Sequence, residues 1–262
     1  TGHFREAMDL IESINPLPNV TGRVCPQELQ CQSVCAHSGR PIEIGQLEWF
    51  LPQREKVVNP EGIAARFAGF PNPWEKAEKP PVAVVGSGPA GLINAYLLAA
   101  EGYPVTIFEA FHALGGVLRY GIPEFRLPKT VLDDFEYRHL RLKGIKVRPN
   151  TDVGKALKIE DQFRDGYKAI FIGTGVWRPN TLHIKGESLG NVHYAINYLQ
   201  NPDVYHLGNR VIVIGAGNAA MDVARTAIRH GTRHLECFSL SKHITASEYE
   251  ASYAKLEGVN FI

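Results

Sequence analysis

The stretch CPQELQCQSVC places Cys25, Cys31 and Cys35 close together, and the segment PIEIGQLEWF comes soon after with Glu48. Thiolates at such spacing are metal or iron-sulfur ligands before they are disulfides in a reducing compartment. Zinc would need a fourth ligand, which His37 could supply. The fourth cysteine, Cys237, stands alone in the apolar run HLECFS and reads as a small buried residue. No cysteine pair is spaced to act as a redox-active dithiol. A second chemistry lies in two glycine-rich turns, GSGPAG at 86–91 and GAGNAA at 215–220. Glycines at this spacing let backbone approach a pyrophosphate and seat it on a helix N-terminus.

Each turn sits between a strand and a helix. Val82 to Val85 is a β-branched run, a helix is predicted from Pro89 to about Glu101, and Gly102 is placed to end it. Gly86 makes the tight turn, Gly88 admits the pyrophosphate and Gly91 allows close helix-to-strand packing. The next strand, VTIFEA, ends at Glu109, about twenty residues beyond the turn, where a carboxylate accepts ribose hydroxyls. The second unit keeps Gly215 and Gly217 but carries Ala220 as its third small residue. Its next strand ends in Ser239 and Leu240, neither the acid that favours NAD nor the arginine that pairs with the NADP phosphate. Two such sites in series suit a flavin and a nicotinamide coenzyme that exchange a hydride. Between them the strand AIFIGTG leads to a further turn at Gly173, Thr174 and Gly175, without bulky side chains to obstruct the first site.

At 262 residues, 44% hydrophobic and a formal net charge of +1, the chain has material for more than one core and no electrostatic signature of a nucleic-acid binder. No apolar run reaches the roughly 20 residues that cross a bilayer, and the start TGHFREAMDL lacks a signal-peptide core, so the expected setting is cytoplasmic and away from membranes. The basic run RHLRLKGIKVR reads as a solvated helix face.

Taken together, GSGPAG, LGGVLRYGIPEFRLPK at 114–129, GTGVWRP and GAGNAAMDVARTAIR resemble the small subunit of NADPH-dependent glutamate synthase and its relatives. These include the electron-input half of dihydropyrimidine dehydrogenase and the large subunit of the bifurcating ferredoxin-NADP oxidoreductase. The resemblance implies an oxidoreductase subunit that passes electrons from NAD(P)H through FAD to four-iron (4Fe-4S) clusters and onward to a larger catalytic or electron-accepting partner subunit, or to a ferredoxin. The alternative is a flavin-binding assembly module whose electron path is broken. On this resemblance FAD rests on Gly86, Gly88, Pro89, Ala90 and Gly91, with Glu109 at the ribose. Gly116 and Arg119 approach the flavin ring, Val153 lies near the adenine, and Gly173, Thr174 and Gly175 line the floor. The coenzyme rests on Gly215, Gly217, Asn218 and Ala219. Cys25, Cys31 and Glu48 would serve one cluster and Cys35 another, each incomplete without cysteines that relatives carry upstream. Relatives also continue past KLEGVNFI, so the chain is expected to be part of a longer subunit. Where NADPH-selective relatives have an arginine pair, this chain reads CFSLSK, with Phe238, Ser239, Leu240 and Lys242, which implies weak discrimination between NAD and NADP.

The expected architecture is α/β with two Rossmann-like units: a small helical iron-sulfur-type domain and linker at 1–80, a flavin domain at 81–205, and the start of a nicotinamide domain at 206–262. Prolines in FPNPWEKAEKPP mark the first boundary because they cannot donate to a sheet.

Overall fold

The computed structural model describes residues 2–37, 39–58, 72–75, 78–141, 143–239 and 243–262. These divide into two compact units, 1–119 with 124–175, and 120–123 with 176–262.

The first unit opens with three helices, α1 (Phe4–Ile14), α2 (Pro18–Val24) and α3 (Ile44–Val58). Pro18 starts α2 at the position where its missing N–H costs nothing. Gly22 lets α2 cross α3 closely, since a Cβ there would lie 2.7 Å from the Trp49 nitrogen and 2.8 Å from the Gly45 oxygen. A four-stranded parallel sheet comes next, in the order β3-β2-β1-β4. Its strands are β1 (Val82–Val85), β2 (Val105–Phe108), β3 (Lys146–Arg148) and β4 (Ala169–Ile172). Every residue of β1 and β2 is buried, as a parallel strand covered on both faces requires. Helix α4 (Pro89–Ala100) links them and turns Leu92, Ala95 and Ala99 inward. Against the sheet, Ala83, Phe108 and Tyr167 form a core with Trp74, Val153 and Ile170. The segment between β2 and β3 holds α5 (Val117–Tyr120) and α6 (Lys129–Phe135), and α6 runs on into a π-helical turn at Glu136–Arg141. Helix α7 (Ile159–Arg164) precedes β4.

The second unit repeats the plan with three parallel strands in the order β5-β6-β7. These are β5 (Arg210–Ile214), β6 (His234–Phe238) and β7 (Val259–Phe261). Helices α8 (Ala195–Gln200), α9 (Asn218–Arg229) and α10 (Glu248–Leu256) accompany them. Tyr198, Met221, Leu235, Cys237 and Val259 are core residues. From sequence the flavin domain is expected to end near 205, whereas residues 176–205 pack with the second unit: Tyr198 of α8 is buried in that core, and Leu199 and Tyr205 lie against it. Among the described residues no helix is long and apolar enough to cross a membrane.

Candidate functional site

In parallel strands all the carboxyl ends leave the sheet on one edge, and there the open α/β fold receives its ligands. The pairings Val85 with Phe108 and Val85 with Ile172 bring Gly86, Glu109 and Gly173 together on that edge. Gly86 (φ +93°) turns the chain out of β1, and a Cβ on it would collide with the Gly173 carbonyl. Gly91 faces the Gly86 carbonyl with no room for a Cβ either. At Gly88, by contrast, an added Cβ would meet nothing within 4 Å. Gly88 caps α4, Pro89 occupies its first turn, and both Pro89 and Ala90 are exposed. The turn is thus tight where protein meets protein and open where the helix offers its free N–H groups, a seat of the right kind for a pyrophosphate.

Glu109 lies just beyond β2 and is 5% exposed. Its Oε2 accepts from the backbone nitrogen of Ser87 at 2.9 Å and from the Ser87 hydroxyl, and its Oε1 accepts from the Phe111 nitrogen at 2.8 Å. A carboxylate has about four acceptor positions, so one remains for a ribose hydroxyl. The backbone at 150–153 runs beside it, with Thr151 N donating to Glu109 O at 2.8 Å, and half-buried Val153 packs against the core of Ala83, Phe108 and Tyr167.

Gly115 and Gly116 both take positive φ, and a Cβ on Gly116 would stand 2.6 Å from the Gly88 Cα. This loop therefore lies directly on the glycine turn. Arg119 does not point free: its Nε donates to the Leu114 carbonyl at 2.5 Å and its Nη2 to Asp133 at 2.5 Å. The guanidinium staples the loop to α6 and shares its charge with a carboxylate. Thr174 and Gly175 are exposed beyond β4, and Gly173 N donates to Val85 O at 2.8 Å.

The second turn has the same shape with a looser fit. Gly215 (φ +133°) leaves β5, and a Cβ there would lie 3.7 Å from the Ala220 methyl. This is how alanine replaces the third glycine: α9 stands off far enough for ordinary contact. Gly217 caps α9, and its nearest neighbour to an added Cβ is the Thr245 hydroxyl at 3.7 Å. Ala219 is exposed, whereas the Asn218 Oδ1 accepts from the Ser247 nitrogen at 2.9 Å. Ala246 N donates to Ala216 O at 2.7 Å, so the segment 245–247 lies across the turn as a strap. Sequence reasoning missed it, although Ser247 and Glu250 have the Ser-x-x-Glu spacing of a helix start, and Ser247 Oγ does accept from Glu250 N. Helix α10 is held to α9 by ion pairs of Arg225 with Glu250 and Glu257, and of Arg229 with Glu257. The hydrogen bond from Arg229, joined by Arg225, holds the Glu257 carboxyl below its ordinary range. Ser239 is half-buried after β6; Leu240 and Lys242 lie outside the described residues.

In the helical part, burial raises the Cys25 thiol, and the charges of Cys31, Glu48 and Glu28 raise it further, so Cys25, Cys31 and Glu48 share one neighbourhood. The Glu48 carboxylate already accepts from Asn15 at 2.9 Å, Thr21 at 2.8 Å and Gln27 at 3.3 Å, tying α3 to the two elements before it. Among the described residues no three His, Cys, Asp or Glu side chains are drawn together as metal ligands. A four-iron cluster takes four ligands. Among the described residues the donors do not make up such a set.

Residues 80–262 match the family model described as pyridine nucleotide-disulphide oxidoreductase. The chain belongs to this family. Membership brings FAD and NAD(P)H as cofactors. Residues 1–59 match the model described as dihydropyrimidine dehydrogenase domain II, 4Fe-4S cluster. The glutamate synthase [NADPH] small chain of Azospirillum brasilense is 31% identical over all of this chain and 56% of its own length. The NAD-dependent dihydropyrimidine dehydrogenase subunit PreT of Escherichia coli K12 is 34% identical over 99% of this chain and 62% of its own. The chain thus spans little more than half the length of these curated relatives. FprA of Mycobacterium tuberculosis in complex with NADPH shares the fold at a TM-score of 0.56 and 22% identity, over 69% of this chain and 48% of its own.

Proposed function

We propose that the chain is the NAD(P)H-oxidising part of a flavoprotein electron-transfer subunit similar to the glutamate synthase small chain, with FAD on the first glycine turn and the nicotinamide coenzyme on the second. The observation that carries this reading is the pair of turns. Each leaves a strand through a glycine of positive φ and reaches a glycine that caps a helix N-terminus, in a chain that matches the oxidoreductase family over both. When bound, FAD supplies an acceptor for the coenzyme's hydride and a donor of single electrons to the next carrier.

The chain's own residues hold and orient. The free N–H groups at the start of α4 and α9 face the two pyrophosphates, and Glu109 takes a ribose hydroxyl of FAD. The loop at 114–116, pinned by Arg119 and by contact with Gly88, sets one wall of the flavin pocket. Hydride transfer between two cofactors depends on such positioning more than on proton transfer.

The electron exit is a larger catalytic or electron-accepting partner subunit, as the small-chain relatives suggest, or a ferredoxin. The incomplete donor set of Cys25, Cys31 and Glu48 favours a second reading, a flavin-binding module whose outward path needs ligands from elsewhere.

The test is anaerobic titration of the FAD-loaded chain with NADH and with NADPH, monitoring loss of flavin absorbance. Both should bleach the flavin, with less than about a hundredfold difference in affinity, because Ser239 offers neither a carboxylate nor a guanidinium to the 2′ position. A flavin untouched by either coenzyme overturns the redox reading.

A further inference from the structure

We propose that Ser87 is a positioning residue of the FAD site: its hydroxyl holds the Glu109 carboxylate in the orientation that meets the adenine ribose, and ties the 114–116 loop to the glycine turn. This rests on the reading of the first turn as the FAD site.

Ser87 lies between the two glycines of the turn and is fully buried. Its hydroxyl donates to Glu109 Oε2 and accepts from Gly115 N at 3.1 Å. Its backbone repeats both links, the nitrogen donating to the same Oε2 at 2.9 Å and the carbonyl accepting from Gly115 N at 3.1 Å. One side chain thereby joins three pieces of the site: the phosphate turn, the carboxylate after β2 and the loop that leads to Arg119.

A carboxylate at the end of a glutamate side chain turns easily about its last bond. Two donors from Ser87 on Oε2 and the Phe111 nitrogen on Oε1 stop that rotation and leave one acceptor direction open. Removing the hydroxyl leaves the backbone links intact, so the loop keeps one tie and the turn keeps its path. What is lost is one of the two donors on Oε2, which opens a second acceptor direction and no longer confines the carboxylate to the one that meets the ribose.

The experiment compares ADP with 2′-deoxy-ADP as ligands of the flavin-free chain, by calorimetry. Wild type should prefer ADP by about tenfold, the worth of one charge-assisted hydrogen bond, and Ser87→Ala should narrow the ratio to about twofold. In a Glu109→Gln background Ser87→Ala should change the ratio no further, because the serine acts through the carboxylate. If Ser87→Ala weakens both ligands equally and keeps the ratio, the residue only packs, and the proposal is overturned. Should that variant fail to fold, Ser87→Cys decides. Its weak donor should give an intermediate ratio, and a ratio equal to wild type overturns the role. A wild-type ratio near one is a different failure, since it removes the ribose contact of Glu109 itself and the site reading with it.

Discussion

Cys237 shows what enclosure does to a reactive group. It is 1% exposed in β6 among Met221, Leu235 and Val259, and burial pushes its thiol up to about 11. The thiolate is the nucleophile and reagent must reach it, so at about pH 8 this enclosed cysteine should alkylate far more slowly than the half-buried Cys31 and Cys35. Mass spectrometry of the natively labelled chain checks this, and rapid modification of Cys237 contradicts the packing of β6. That burial is legible in the sequence because the cysteine sits inside an apolar run. Glu109 is legible too, through its distance from the turn. Ser87 is not, since a serine between glycines has no periodicity and its partners are 22 and 28 residues away in sequence. The family resemblance sets Arg119 against the flavin ring; its ties to Leu114 and Asp133 depend on how the loop folds back on α6, which no local spacing encodes.

At the scale of elements, the two β-turn-α-β units are readable because three signals coincide: β-branched runs, glycines at fixed offsets and a helical period after them. The structure puts β1 at Val82–Val85 and ends α4 at Ala100, before Gly102 with φ +84°. The glycines of the first turn have different duties, and the difference is measurable. Gly91→Ala puts a methyl into the Gly86 carbonyl and should cost about 1 to 3 kcal/mol of stability, with FAD binding lost as the turn opens. Gly88→Ala meets no protein atom within 4 Å, so its melting temperature should match wild type while FAD affinity falls. Thermal melts of the flavin-free variants separate the two; equal destabilisation would mean that Gly88 is also packed. The basic run RHLRLKGIKVR reads as a helix face from sequence; the structure makes its start part of the π-helical turn Glu136–Arg141 and its end the strand β3, Lys146–Arg148. An added residue per turn leaves the composition of EYRHLR unchanged, so only the backbone reveals it.

On the scale of the whole molecule, the two parallel-stranded units are readable from sequence, and the contact division falls at 175/176 where the sequence suggests a domain end near 205. Residues 176–205 are rich in turn residues along their whole length, so no single break stands out, and they join the second unit through the burial of Tyr198 beside α9 and β5. Of the proline-rich linker FPNPWEKAEKPP, Phe70, Pro71, Lys76 and Ala77 lie outside the described residues. The central claim is a division of labour, with flavin on the first turn and reductant on the second. Gly217→Asp tests it most directly, because position 217 caps α9 and, among the described residues, only the Thr245 hydroxyl lies near an added Cβ, so a carboxylate there opposes a pyrophosphate without disturbing the core. The measurement is the anaerobic rate of flavin bleaching by NADPH in this variant. The division of labour predicts a full complement of FAD with bleaching slowed at least about a hundredfold. Bleaching at the wild-type rate, or loss of FAD with the second turn alone altered, would contradict it.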